Sequence, residues 1–145
     1  ENTMAIAAMA AALEEKCIAL TANPEALHCS RQLLLTKIKE KCEVILLGPE
    51  AEAETSGAIL TLAIPGIRAE TFLHYLESKN IYIGSGSACH AHGHTESATL
   101  KAIKLKKDLH NSVIRLSISE AICKEEIERV ASAIAEASSY FKKNN

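Results

Sequence analysis

Four short β-forming runs, Val44-Ile45-Leu46-Leu47, Ala58 to Ile64, Ile81-Tyr82-Ile83 and Ser112 to Ile118, alternate with helical stretches. Several lie too close together for the long crossovers that parallel pairing requires. The chain must therefore build a small antiparallel or mixed sheet of about four strands with helices packed on it, an α+β fold. Gly48-Pro49 ends the first run and Pro65-Gly66 the second, both sharp stops for a strand.

The helices are marked by three-to-four-residue spacing of apolar positions. Ile6, Met9, Leu13, Cys17 and Leu20 predict an amphipathic helix from Thr3 to about Leu20. Asn23-Pro24, a capping residue followed by a residue suited to the first turn, predicts a second helix to about Cys42 that buries Leu27, Leu34, Leu35 and Ile38. The acidic segment Glu50 to Ser56 reads as a surface loop. A helix from Ala69 to Asn80 carries Phe72, Leu73 and Leu76, and Thr95 is placed to cap a short helix ending near Leu105. The last helix, Lys124 to Lys142, has Ile127, Val130, Ala131, Ile134 and Phe141 on one side, with acids at its start and lysines at its end as the helix dipole favours.

At 145 residues the chain has the size of one domain, 1–145, able to bury roughly 70% of its unfolded surface. With three Tyr, two Phe and no Trp, the core must come from Ala, Leu and Ile. A net charge of −2 without a basic face argues against nucleic acid as a partner. No apolar run approaches the roughly 18 to 20 residues of a membrane span, and the Ala-rich start has neither a basic leader nor a cleavage pattern, so a cytoplasmic protein is expected. The absence of an initiator Met before Glu1 leads to the expectation that sequence precedes it.

Five cysteines, at 17, 29, 42, 89 and 123, form no C-x-x-C pair, and an odd number leaves at least one thiol free. Cys17 and Cys42 fall on apolar helical faces and read as core residues. Cys29 is expected to be partly exposed and lacks any partner motif.

Cys89 differs, standing in the polar, glycine-containing run Gly84-Ser85-Gly86-Ser87-Ala88-Cys89, followed by His90, His92 and His94. A reactive thiol needs exposure and neighbours that favour the thiolate, so Cys89 is a candidate nucleophile or sulfur carrier, against the alternative of an unused loop cysteine. In an extended segment His90, His92 and His94 share a face and offer soft-metal ligands, but no second ligand cluster accompanies them. Gly84-x-Gly86 lacks the rest of any phosphate-binding fingerprint. Arg115 lies in the alternating strand with Ile114 and Leu116 on the opposite face; its planar fork suits a substrate carboxylate, and equally a surface ion pair.

Ser85-Gly86-Ser87-Ala88-Cys89, then Ser97-x-x-Leu100-Lys101-Ala102, then Ser112-Val113-Ile114-Arg115-Leu116-Ser117, in this order, resembles the C-terminal small domain of cysteine desulfurases, members of the class V (fold-type I) pyridoxal-phosphate enzymes. Glu1-Asn2-Thr3 resembles the tail of the family's Gly-Thr-Glu-Asn segment, and Lys124 to Ile127 its final-helix opening, so the likeness spans almost the whole chain.

The resemblance implies a fold like the C-terminal domain of class V aminotransferases and a specific reaction. The loop thiolate takes sulfur from free L-cysteine bound to pyridoxal 5'-phosphate, leaving a persulfide on Cys89 and releasing L-alanine. Arg115 would hold the substrate carboxylate, and Ser85, Gly86, Ser87, His90, His92 and His94 would position the loop. Glycines at 84, 86 and 93 are expected to let it swing. The run is similar to that of the subgroup with a long cysteine loop, which serves iron-sulfur assembly or tRNA and cofactor thiolation through a sulfur-acceptor or scaffold protein. Selenocysteine is a related substrate, and family members are homodimers.

Gly84, Glu96 and Cys123 depart from the residues common in the family, and the His-rich loop is unusual. No lysine lies in a motif like the family's Schiff-base site, so the chain alone is expected to lack the cofactor-binding domain and to be catalytically incomplete. Two other readings remain: a stand-alone thiol or metal-binding module built on Cys89 to His94, and a class V relative acting on another amino acid.

Overall fold

In the computed structural model, which describes residues 1–49, 55–86 and 97–143, the second and fourth sheet segments form the centre. Strand β2 (Ile59–Ala63) pairs antiparallel with β4 (Val113–Ser117) in the register Thr61 opposite Arg115. On either side lie β1 (Ile45–Leu46), paired with β2, and β3 (Gly84–Ser85), paired with β4. The order is β1-β2-β4-β3 and every pairing is antiparallel. This is the expected α+β architecture.

Period-two alternation divides the sheet into two unlike faces. Leu60, Leu62, Ile114 and Leu116 point inward and are buried. Against them pack α2 (Ala26–Lys41), α3 (Ala69–Glu77) and α5 (Lys124–Lys143). Their contributions are Leu34, Leu35 and Ile38 from α2, Phe72 and Leu76 from α3, and Ile127, Ala131, Ile134 and Ala137 from α5. Alanines at 131 and 137 let α5 lie close to the layer beneath, and α2 and α5 pack directly on each other.

The opposite face carries Ile59, Thr61, Ala63, Val113, Arg115 and Ser117. Among the described residues, its Ala63–Val113 end is covered by Leu100 of α4 (Ala98–Ala102), with Leu47, Leu105 and Leu109 around it. A 3₁₀ turn at Lys107–Ser112, not anticipated from the sequence, leads from α4 into β4.

Several boundaries differ from expectation for local reasons. The second helix starts at Ala26 rather than Pro24: the Asn23 carbonyl accepts a hydrogen bond from the Ala26 amide (3.2 Å), making a turn, and no side chain caps the helix. Ser97, not Thr95, caps α4, its side chain accepting from the Leu100 amide at 3.5 Å; Thr95 lies outside the described residues. Ile81 to Ile83 are not part of the sheet: the Ile81 amide donates to the Leu76 carbonyl (3.0 Å), and pairing falls on Gly84 and Ser85. The acidic loop is described only at Thr55 and Ser56.

Two contacts absent from the sequence reading hold α2 to the sheet. Arg31 is 3% exposed, and its guanidinium donates to the carbonyl oxygens of Ile59 (3.3 Å) and Pro49 (3.2 Å). Gly57, at φ +71°, passes so close to α2 that a Cβ there would lie 2.9 Å from Leu27 Cβ. Both a left-handed backbone and lack of space demand glycine.

The first helix, α1 (Thr3–Ala22), forms as expected, with the Asn2 side chain accepting from the Ala5 amide (3.1 Å). Its expected buried face does not exist: none of its residues is buried, and Cys17 is exposed rather than in the core. No helix among the described residues is long and apolar enough to cross a membrane.

Ile134, fully buried between helix and sheet, is the most direct probe of this core. Ile134→Ala is expected to cost about 2 to 5 kcal/mol, read as a lower urea midpoint with an unchanged m-value.

Candidate active site at the open sheet face

Arg115 is placed by the alternation of β4: Ile114 and Leu116 anchor the strand inward, so the intervening side chain emerges on the open face. Thr61 flanks it on one side and Gly84 on the other. The guanidinium lies across Gly84, where a Cβ would be 3.6 Å from both Nε and Nη2. Among the described residues Arg115 has no carboxylate partner, so its fork is available to an anion from outside.

Gly86 sits one pleat further along the same face. Its amide donates to the Val113 carbonyl at 2.8 Å, and a Cβ would stand 2.7 Å from Val113 Cγ1 and 2.8 Å from Val113 Cβ. Gly84 and Gly86 thus make a flat strip over which Arg115 and Val113 lean. Neither glycine has a positive φ: Gly84 lies within β3, and Gly86 is fastened to β4. Ser85 lies between them, half-buried and opposite Ile114.

Ser87, Cys89, His90, His92, His94 and Gly93 lie outside the described residues. The structure brings their chain to the open face at Gly86, beside Val113 and two strand positions from Arg115. It resumes at Ser97, the cap of α4, whose Leu100 packs on Val113.

The remaining thiols differ in setting. Cys17, Cys29 and Cys123 are exposed, whereas Cys42 is half-buried beside α5. Burial pushes the Cys42 thiol up, an effect that the positive charge of Lys142 only partly offsets. This is the opposite of activation. Cys123 takes the place of a capping hydroxyl at the start of α5, where the backbone is held by Glu126 reaching back to accept the Cys123 amide (3.0 Å).

An antiparallel sheet with helices on one face and an arginine on the other defines a small α+β layer. The chain belongs to the class-V aminotransferase family, whose model matches residues 1–130. Among its relatives, a NifS/IcsS protein homolog of Lactobacillus delbrueckii subsp. bulgaricus is 35% identical over 100% of this chain and 37% of its own length. The cysteine desulfurase IscS of Ehrlichia chaffeensis is 31% identical, over 72% of this chain and 25% of its own. The chain therefore spans little more than a third of the length of these relatives at most.

The fold agrees. A NifS-like protein from Rickettsia africae superposes with a TM-score of 0.80 at 22% identity, covering 96% of this chain and 35% of that one. Another NifS-like protein gives the same TM-score at 19% identity, over 97% of this chain and 34% of its own.

Enzymes of this family depend on pyridoxal 5'-phosphate. The described residues do not fit its anchorage, since none of their lysines is buried. Lys37, Lys41 and Lys79, whose side chains keep about a third of their exposure, are paired with Glu40 (3.3 Å), Glu128 and Glu136 (2.6 Å).

Two measurements check this description. Gly86→Ala is expected to destabilise the sheet by about 1 to 3 kcal/mol through overpacking, and Val113→Ala in the same chain to recover part of that loss, as read in a double-mutant cycle of denaturation. Alkylation at neutral pH followed by peptide mass spectrometry should label Cys17, Cys29 and Cys123 well before Cys42; equal labelling would contradict the burial that raises the Cys42 thiol.

Proposed function

We propose that residues 1–145 are one domain, the smaller one, of a pyridoxal-phosphate-dependent cysteine desulfurase acting on free L-cysteine. Support comes from family membership, from the desulfurase relative, and above all from one placement. The strand that leads into Ser85-Gly86-Ser87-Ala88-Cys89 is hydrogen-bonded directly to the strand that carries an available Arg115.

In this reading Arg115 binds the substrate carboxylate through two N–H donors, which fixes the amino acid's orientation at the open face. The Cys89 thiolate attacks the substrate sulfur. An S–S bond forms as the Cβ–S bond breaks, and the electron pair left on Cβ takes a proton, giving L-alanine and a persulfide on Cys89. Atoms and electrons balance between cysteine plus thiol and alanine plus persulfide. The bound cofactor supplies the electron sink, and its lysine and phosphate site belong to the remainder of the longer protein.

Storing sulfur on the enzyme separates its removal from its delivery to a sulfur-acceptor or scaffold protein, for iron-sulfur assembly or tRNA and cofactor thiolation. The protein works in the cytoplasm as a homodimer, without binding nucleic acid. His90, His92 and His94, three imidazoles within five residues of Cys89, are suited to exchange protons with the thiol near neutral pH.

The experiment uses the longer protein. Cys89→Ser should abolish alanine formation from L-cysteine while leaving cofactor absorbance in place, and undiminished turnover would refute the assignment. Arg115→Ala should raise KM about 10- to 150-fold, the loss expected for a charge-assisted carboxylate contact, and an unchanged KM would remove Arg115 from the site.

A further inference from the structure

The segment that joins α4 to β4 carries charges that neither the core nor the candidate site uses. Residues 101–108 hold four lysines, Lys101, Lys104, Lys106 and Lys107, and one acid, Asp108, a local charge of +3. The whole chain is at −2, so the remaining positions carry −5. All four lysines are exposed, and among them stands Ile103, an apolar side chain that is 49% exposed.

The segment is anchored from below. Leu100, Leu105 and Leu109 gather at the Ala63–Val113 end of the sheet. The Leu105 amide donates to the Leu100 carbonyl (3.1 Å), the Leu109 amide donates to the Lys106 carbonyl (3.0 Å), and His110 Nε2 donates to the Leu105 carbonyl (3.0 Å). Leucines therefore hold the turn, and the lysines stay in water.

One backbone feature sets Lys104 apart. The described residues with φ in the left-handed region are Gly48, Gly57, Gly66, Asn80 and Lys104. Glycine is at home there and asparagine is tolerated, whereas Lys104, at φ +55°, is neither. It follows the last turn of α4, a place that favours glycine, and its Cβ crowds the backbone. The lysine costs the fold something that glycine would not, which points to a use for its side chain.

The position suggests what that use is. Ser97 caps α4 just after the stretch that contains Cys89, and Leu100 packs on Val113, against which Gly86 also rests. The lysines thus stand beside the point at which the described chain resumes. Their chemistry suits protein better than nucleic acid. Residues 97–111 include no arginine to fork onto a phosphate and no Phe, Tyr or Trp for a base to stack on. A compact acidic patch, by contrast, matches an exposed isoleucine with lysines around it, an apolar centre inside a charged rim.

We propose that segment 101–107 is a docking surface for an acidic protein, with Lys104 and Lys106 as its principal contacts. Neither lysine has an ion pair among the described residues. The docking surface stands on these residues alone; that the acidic protein is the sulfur acceptor rests on the desulfurase reading.

Three probes test it on the purified longer protein: a glutamate-rich peptide, the same peptide with every glutamate changed to glutamine, and an oligouridylate of equal charge. Fluorescence anisotropy should show the glutamate peptide bound about 10-fold or more tightly than its glutamine counterpart, an advantage that shrinks as salt rises. Lys104→Glu combined with Lys106→Glu should abolish that advantage. Lys104→Gly separates docking from folding. It should keep or raise the thermal midpoint, since glycine adopts the left-handed backbone freely, yet weaken peptide binding about 2- to 5-fold.

Three results would overturn the proposal: equal affinity for the two peptides, an affinity for the glutamate peptide that the double substitution leaves unchanged, or an oligouridylate held more tightly than that peptide and released by the same substitution. Alanine formation from L-cysteine, with a small thiol as acceptor, is read on the same preparations and should be equal in all of them. Its absence from the unaltered protein would refute the desulfurase reading and leave the docking surface standing.

Discussion

Everything in this domain hangs on the antiparallel pairing of β2 with β4, made between residues fifty or more positions apart. That one ladder aligns Leu60 with Leu116 and Leu62 with Ile114, giving the helices an apolar floor. By the same alternation it turns Thr61 and Arg115 outward as neighbours. A slip of one residue would bury the guanidinium and expose Ile114 and Leu116, so core and candidate site cannot be specified separately. The register is fixed by burial rather than by a tight turn, since neither strand is joined to the other by a hairpin.

The same economy governs the pieces around it. Arg31 looks like a surface residue of an amphipathic helix until the sheet is in place. Then its two carbonyl acceptors, Ile59 and Pro49, become the edge groups that α2 must satisfy. A buried charge of this kind is tolerated because its donors are met, and it ties the helix to the strand at a defined height.

Much of the architecture was legible in the sequence where the signal is local. The period-two run at Ser112 to Ile118 places Arg115 on the face opposite Ile114 and Leu116. The apolar spacing of α5 names Ile127, Ala131 and Ile134 of its buried face, while Val130 and Phe141 are half-buried and the spacing misses Ala133, Ala137 and Ser138. What failed was non-local. Ile81 to Ile83 have the stronger β propensity, yet pairing falls on Gly84 and Ser85, because the register follows β4's inward-facing positions and the open face needs room for Arg115 and Val113. The two glycines read as freedom in the sequence and act as clearance in the fold. Likewise, α1 has helical spacing that reads as one buried stripe only if Met4 and Ile18 are passed over. Of the candidate site, Arg115 and Gly86 lie on one face, while the half-buried Ser85 alternates to the side of Ile114; Cys89 and the histidines are known by their position in the sequence.

Val113 receives Gly86 on one side and Leu100 on the other, so the described residues flanking 87–96 meet the sheet at nearly the same point. A segment whose ends share one anchor is, in energetic terms, a closed circuit on a fixed post. Its closure cost grows only with the logarithm of its length, about 0.6 kcal/mol for each doubling. A change in the length of the chain between Gly86 and Ser97 is therefore expected to cost the sheet beneath it little.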